Sequence, residues 1–141
     1  MKLSAEYIRN NWDAIEYAIT EALPPTSTIE YEGMMVEIQK ALFSEAAECW
    51  ILFSNDTPHL LMVDYYSIDF FTKEKTMVIY AMYGYKFIPD PLWFKMFEVI
   101  KKRAKDEGCL KIQAVSASER VNTIVNMLGW NTEYRLLTSE V

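Results

Sequence analysis

The sequence predicts an α/β (α+β) domain: a mixed, mainly antiparallel sheet flanked by helices, in the order α-α-β-β-β-α-β-α-β. Three observations predict it. Segments with apolar residues three and four apart open the chain and return twice after residue 90. Three β-rich runs between residues 49 and 85 are joined by short polar connections, which makes them an antiparallel meander. A long strand, a helix and a further strand then follow, the pattern of a right-handed crossover onto one sheet. With 141 residues, 51% hydrophobic and 14% aromatic, the chain is long and apolar enough for a single domain, residues 1–141, with its own core.

The first helix is read over "SAEYIRNNWDAIEYAITEAL". Ser4 is its N-cap. Ile8, Trp12, Ile15, Ile19 and Leu23 share one face, and Pro24 and Pro25 stop it. "IEYEGMMVEIQKAL" is a second helix, with Tyr31, Met35, Ile38 and Leu42 inward. Gly33 weakens it by about 1 kcal/mol relative to alanine. The meander consists of "CWILFS", a turn at "NDTP", "HLLMVDYYSIDFF", a polar reversal at "TKEK", and "TMVIYAMYGY". Asp64 and Asp69 interrupt the apolar pattern and read as solvent-facing positions, against an active-site role.

The next helix lies in "PLWFKMFEVIKKRAKDEG". Leu92, Trp93, Met96, Phe97, Ile100 and Ala104 form its buried face, and Pro91 suits the first turn. Lys101, Lys102, Arg103 and Lys105 occupy the last turns, where cations favour the helix dipole. Gly108 is a natural end cap. "CLKIQAVS" is a fourth strand. Ser118 caps a helix over "ERVNTIVNML", which ends at Gly129, and "EYRLLTSEV" reads as a last strand.

Charge and residue usage bound the function. The net charge is −6; residues 1–70 hold twelve acidic and three basic side chains, and residues 71–141 hold eight and eleven. An acidic chain is a poor partner for nucleic acid. No apolar run is long enough to span a membrane, and the N-terminus lacks the apolar region of a secretory signal, so the expectation is a cytoplasmic protein with no membrane partner. Cys49 and Cys109 read as free buried thiols. His59, the one histidine, sits in a turn and supports neither a nucleophilic triad nor a zinc site. Glu45 and Glu48, in "SEAAECW", read as a solvated helix end; the functional alternative has them facing a cleft.

The C-terminal block "GCLKIQAVSASERVNTIVNMLGW" carries a resemblance. A helix ends at a glycine, a strand follows, then a capped helix and a closing Gly-aromatic pair, Gly129 and Trp130. This order resembles the GNAT N-acetyltransferase superfamily, in topology over residues 4–138 and specifically from Thr76 to Trp130. The family's first strand has no clear counterpart, because a helix begins almost at once.

The resemblance implies transfer of an acetyl group from acetyl-coenzyme A to an amine. It implies a diphosphate cradle in "YKFIPDPLW", where the family carries Arg/Gln-x-x-Gly-x-Gly/Ala. This chain has no glycine between Gly84 and Gly108 there; Pro89 and Pro91 remove two N–H donors, and Asp90 adds negative charge. The family's proton-donating tyrosine falls on Val125, and its helix-opening asparagine on Ser118. Tyr80, Tyr83 and Tyr85 are tyrosine surrogates on the central strand, and Glu48 is the candidate carboxylate near an acceptor loop. If acetyl-coenzyme A binds, the implied contacts are Met82, Tyr83, Gly84, Lys86, Leu92, Trp93 and Ser118.

Two readings follow. The preferred one is a degenerate acetyltransferase fold without a cofactor, serving as a structural or interaction module through protein partners or self-association. "SEAAECWILF" is similar to part of the short internal virion protein group of T7-like phages, which places such a module in a virion or a host cytoplasm. The alternative is an active acetyl-coenzyme A-dependent N-acetyltransferase. The preferred reading also expects Asp90 to occupy the place of the phosphate at the helix start.

Overall fold

The computed structural model describes residues 1–23, 31–114 and 118–133, together with 137, 139 and 141. Helices α1 (Ala5–Asn10), α2 (Trp12–Ala22) and α3 (Tyr31–Phe43) precede strands β1 (Ala47–Ser54), β2 (Thr57–Ile68) and β3 (Lys75–Gly84). Helix α4 (Asp90–Asp106), strand β4 (Lys111–Ala114) and helix α5 (Glu119–Met127) complete the order. The sheet runs β1-β2-β3-β4, antiparallel except for the parallel β3–β4 pair that the α4 crossover creates. The predicted class and order hold. The last strand, expected over 133–141, lies mostly outside the described residues.

Local chemistry sets the boundaries. The first helix is two helices. Asn11 leaves helical geometry at φ −123°, and its side-chain amide donates to the Tyr7 carbonyl at 2.9 Å, because asparagine competes well for helix-end carbonyls. Periodicity could not reveal this break, since Ile8, Ile15, Ile19 and Leu23 are buried on both sides of it. Asn55 and Asp56 join β1 to β2 with both φ angles positive, a two-residue turn whose twist suits a hairpin. His59 is therefore not in a turn but within β2, as the unpaired residue of a bulge between Leu52 and Phe53 of β1. No strand precedes the first helix, as expected, but the N-terminus is tied to β1: Lys2 forms a single bridge with Trp50, and Leu3 N–H donates to the Cys49 carbonyl at 2.8 Å.

The sheet separates two apolar clusters. Ile8, Ile15, Ile19, Leu42, Cys49, Ile51, Leu61, Val63 and Ala81 pack on the α1–α3 side. Leu60, Met62, Met77, Ile79, Met96, Phe97, Ile100, Ile124 and Val125 pack on the α4–α5 side. A second bulge positions the candidate site. Val63 pairs with Ala81 but Asp64 pairs with Ile79, leaving Tyr80 as the extra residue of β3. The alternation changes phase there: Met77 and Ile79 face α4, whereas Ala81 and Tyr83 pack with the α1–α3 cluster.

Candidate functional site

The described ladder between β3 and β4 runs to Ile79 and Ala114, and β3 continues through Tyr80–Gly84; residues 115–117, which follow Ala114, lie outside the described residues. Met82, Tyr83 and Gly84 lie on that C-terminal part of β3. Tyr83 meets Tyr85 edge to face at 5.1 Å and Tyr17 of α2 at 6.3 Å, so both candidate tyrosines belong to one aromatic group. Burial pushes the Tyr85 hydroxyl above its ordinary pKa, which keeps its proton in place. Tyr80 is exposed, and its hydroxyl contacts the Met34 sulfur at 3.5 Å.

Beyond β3 the chain enters α4 through the proline loop. Lys86 and Phe87 are exposed and Ile88 is buried. Pro89 caps α4, and its carbonyl accepts the N–H groups of both Leu92 (3.0 Å) and Trp93 (3.2 Å). Those two donors are thus already used. The Trp93 ring is buried against Phe97 and its Nε1 has no hydrogen-bond partner. The expected Asp90 carboxylate is at the helix start, and it is held by Arg120 of α5, whose Nη2 donates to Asp90 Oδ1 at 2.7 Å and to the Ile88 carbonyl at 2.9 Å. The Arg120 guanidinium also lies 4.6 Å from the Phe87 ring centroid. Ser118 caps α5 as expected, accepting the Val121 N–H at 3.3 Å. The start of α4 and the start of α5 are therefore linked, with Arg120 as a cation that the sequence reading missed. Val125 is buried, and Trp130 packs on Phe97 at 5.5 Å.

Glu48 is elsewhere. It is not on a solvated helix end but on β1, 5% exposed, between the sheet and α4. Its Oε1 accepts from Arg103 Nη2 at 2.6 Å, and Oε2 accepts from the Tyr66 hydroxyl at 3.1 Å and from Trp50 Nε1 at 3.3 Å. Its ladder partner is Asp64, which pairs in turn with Ile79. That lies four residues from Tyr83 along β3, about 13 Å, on the opposite face of the sheet. Glu48 and the tyrosines are not brought together.

Asp64 corrects a second expectation. It has no exposed surface, and neither carboxylate oxygen has a hydrogen-bond partner. Burial, and then the charge of Glu48, push it up to about 8. Burial acts the same way on Glu48, but Arg103, Tyr66 and Lys2 outweigh it and hold that carboxyl below its ordinary value. Cys49 and Cys109 are free thiols, as expected, with Cys49 buried and Cys109 partly so. Among the described residues no cluster of His, Cys, Asp and Glu suits a metal ion, and no helix is long and apolar enough to cross a membrane.

No protein-family model matches the chain, and no curated protein matches it in sequence. Solved structures do match in shape. A ribosomal-protein-alanine N-acetyltransferase from Brucella melitensis biovar Abortus 2308 superposes with a TM-score of 0.67 at 12% identity, covering 100% of this chain and 98% of its own. A GNAT family acetyltransferase from Staphylococcus aureus gives 0.67 at 10% identity, covering 100% and 96%. A predicted acetyltransferase from Clostridium acetobutylicum, solved with acetyl-CoA, gives 0.66 at 16% identity, covering 98% and 94%. At such identities the likeness is one of fold, and it spans nearly the whole of each chain: this protein has the GNAT acetyltransferase fold.

Proposed function

We propose that the protein is an acetyl-coenzyme A-dependent N-acetyltransferase acting on an amine. The observation that carries this reading is the acetyltransferase fold, shared over nearly the whole chain, with a bulge at Tyr80 that redirects Tyr83 at the C-terminal end of β3. Backbone groups of an extended strand edge suit the amide-bearing arm of coenzyme A. The bound thioester supplies an activated acetyl group, which the amine takes as the sulfur departs. The chain's own residues would position the arm along Met82–Gly84, with Arg120 as the cation for the diphosphate. Tyr85, and Tyr83 beside it, are the hydroxyls at this end of β3 that can hand a proton to the departing sulfur. The residues fit the arm better than the diphosphate, since Asp90 now occupies Arg120.

A second reading, favoured by that same ion pair, is a non-catalytic interaction module, of the kind the virion-protein resemblance implies. The Leu92 and Trp93 N–H groups are already engaged, and Val125 cannot donate a proton. Calorimetric titration with acetyl-coenzyme A separates the two. The enzyme reading expects micromolar binding, about tenfold tighter in Asp90→Gly and about tenfold weaker in Arg120→Ala, the effect of one charge-assisted contact. No heat of binding at millimolar ligand in either the wild type or Asp90→Gly would leave the second reading standing.

A further inference from the structure

The hairpin between β2 and β3 turns through residues 69–74 and carries an apolar tip. Phe70 and Phe71 are 77% and 87% exposed, and Ile68 beside them is 65% exposed. Leu110, 72% exposed, lies at the hairpin base, where its N–H donates to the Lys75 carbonyl at 2.9 Å. The tip is held from within. Asp69 Oδ1 accepts the N–H groups of Phe71 (2.9 Å) and Thr72 (2.8 Å), and the Thr72 hydroxyl accepts from Glu74 N–H at 3.2 Å. The two phenyl rings stand edge to face, 5.2 Å apart. Large apolar groups gathered at one exposed end contribute nothing to the core, and such patches mark interaction sites.

Charge at this end runs against the rest of the molecule. Lys75 Nζ donates to the Glu107 carbonyl at 3.0 Å, which joins the hairpin to the end of α4. Residues 69–75 and 101–111 together hold seven basic and four acidic side chains, a net of +3 in a chain of −6. Lys101 and Lys105 are exposed and make no ion pair among the described residues. We infer that this end docks on an anionic lipid surface, with Phe70, Phe71 and Ile68 entering the boundary between headgroups and acyl chains. Lys73 on the hairpin and the lysines at the end of α4 meet the headgroups. A bilayer receives an exposed apolar tip without a preformed pocket, and a cation beside aromatic side chains, as Lys73 is beside Phe70 at 4.8 Å, matches that boundary. Such docking needs no spanning segment, so it departs only from the expectation that no membrane is a partner.

Co-sedimentation of the full chain with vesicles tests this, using phosphatidylcholine alone and phosphatidylcholine mixed with phosphatidylserine. Binding to the mixed vesicles is expected, weakening as salt rises. Phe70→Ser with Phe71→Ser should lower it about tenfold or more, from lost apolar burial. Both side chains are exposed, so circular dichroism should show the fold unchanged. Lys101→Glu with Lys111→Glu should lower binding about tenfold, on the mixed vesicles only. A wild-type chain that ignores the mixed vesicles overturns the inference, and so does a Phe70/Phe71 variant that binds them equally well. If the wild type ignores both vesicle types while that variant changes its oligomeric state in solution, the tip is a protein contact and the lipid inference fails.

Discussion

Asp64 is opposite Glu48 across the β1–β2 ladder, with no water-exposed surface and no hydrogen-bond partner. Two adjacent buried carboxylates cannot both ionise cheaply, so Asp64 keeps its proton while Glu48, bonded to Arg103, stays charged. The consequences for stability have opposite signs. Asp64 rises from 3.8 when free to about 8 in the fold, so between those values the folded state holds a proton that the unfolded state releases. Stability therefore falls as pH rises through that window. Glu48 lies below its ordinary 4.5, so its contribution is present above that value and lost as pH falls below it. A stability maximum at about pH 4, between the two free values, is expected in urea unfolding followed from pH 3 to 9. Asp64→Asn should flatten the decline above pH 5 and be more stable than wild type at pH 8 by about 1–3 kcal/mol. A wild-type curve that is flat from pH 5 to 8 would falsify the shared-proton account. The sequence marked Asp64 as a break in an apolar strand, but a single acidic residue in a strand is ordinarily a solvent-facing one. Its partner, Glu48, became visible only when register set them side by side.

Arg103 shows the same limit at the scale of an element. The basic end of α4 reads as a solvated helix terminus, and for Lys101, Lys102 and Lys105 it is one. Arg103 instead spans from α4 to β1, with Nη2 on Glu48 and Nη1 on Glu107 at 3.0 Å. Periodicity places it three residues after buried Ile100, at the border of the inward face, but its partner is 55 positions away. Arg103→Met leaves Glu48 with only Lys2, at 3.6 Å, to balance a buried charge. The expected cost is about 2–4 kcal/mol, read from the denaturation midpoint. Adding Glu48→Gln should recover much of that loss, because the burden is the orphaned carboxylate; a double variant as unstable as the single one would instead assign the loss to packing of the arginine stem. Elements without long-range partners were more legible. The Ser4 and Ser118 caps, the proline in the first turn of α4 and the left-handed Gly108 and Gly129 all follow from nearest-neighbour chemistry. The break at Asn11 did not, since one apolar stripe runs through both helices.

For the molecule as a whole, topology was legible because hairpin turns and one crossover leave few alternatives. The loop between β3 and α4 was located correctly from element order, and its missing glycines were plain. What closes that loop was not plain, because Arg120 reaches Asp90 across 30 positions of sequence. The bulge at Tyr80, which turns Tyr83 to the α1–α3 side, was likewise invisible, since it depends on strand register. In the proposed enzyme these two features would divide coenzyme A between them: the C-terminal end of β3 would take its arm, and Arg120 its diphosphate. Thermal unfolding can weigh them separately. A ligand at one hundred times its dissociation constant stabilises the folded state by about 2.7 kcal/mol, which for a chain of this size raises the melting temperature by roughly 5–10 °C. Acetyl-coenzyme A should produce such a shift at sub-millimolar concentration. Acetyl-pantetheine, which lacks the diphosphate, should produce part of it if the C-terminal end of β3 contributes, and that part should be unchanged in Arg120→Ala. The Asp90→Gly substitution should enlarge only the shift with acetyl-coenzyme A, because only that ligand meets the released guanidinium. Equal melting temperatures with and without either ligand, in wild type and Asp90→Gly alike, would mean that the fold serves something other than coenzyme A binding.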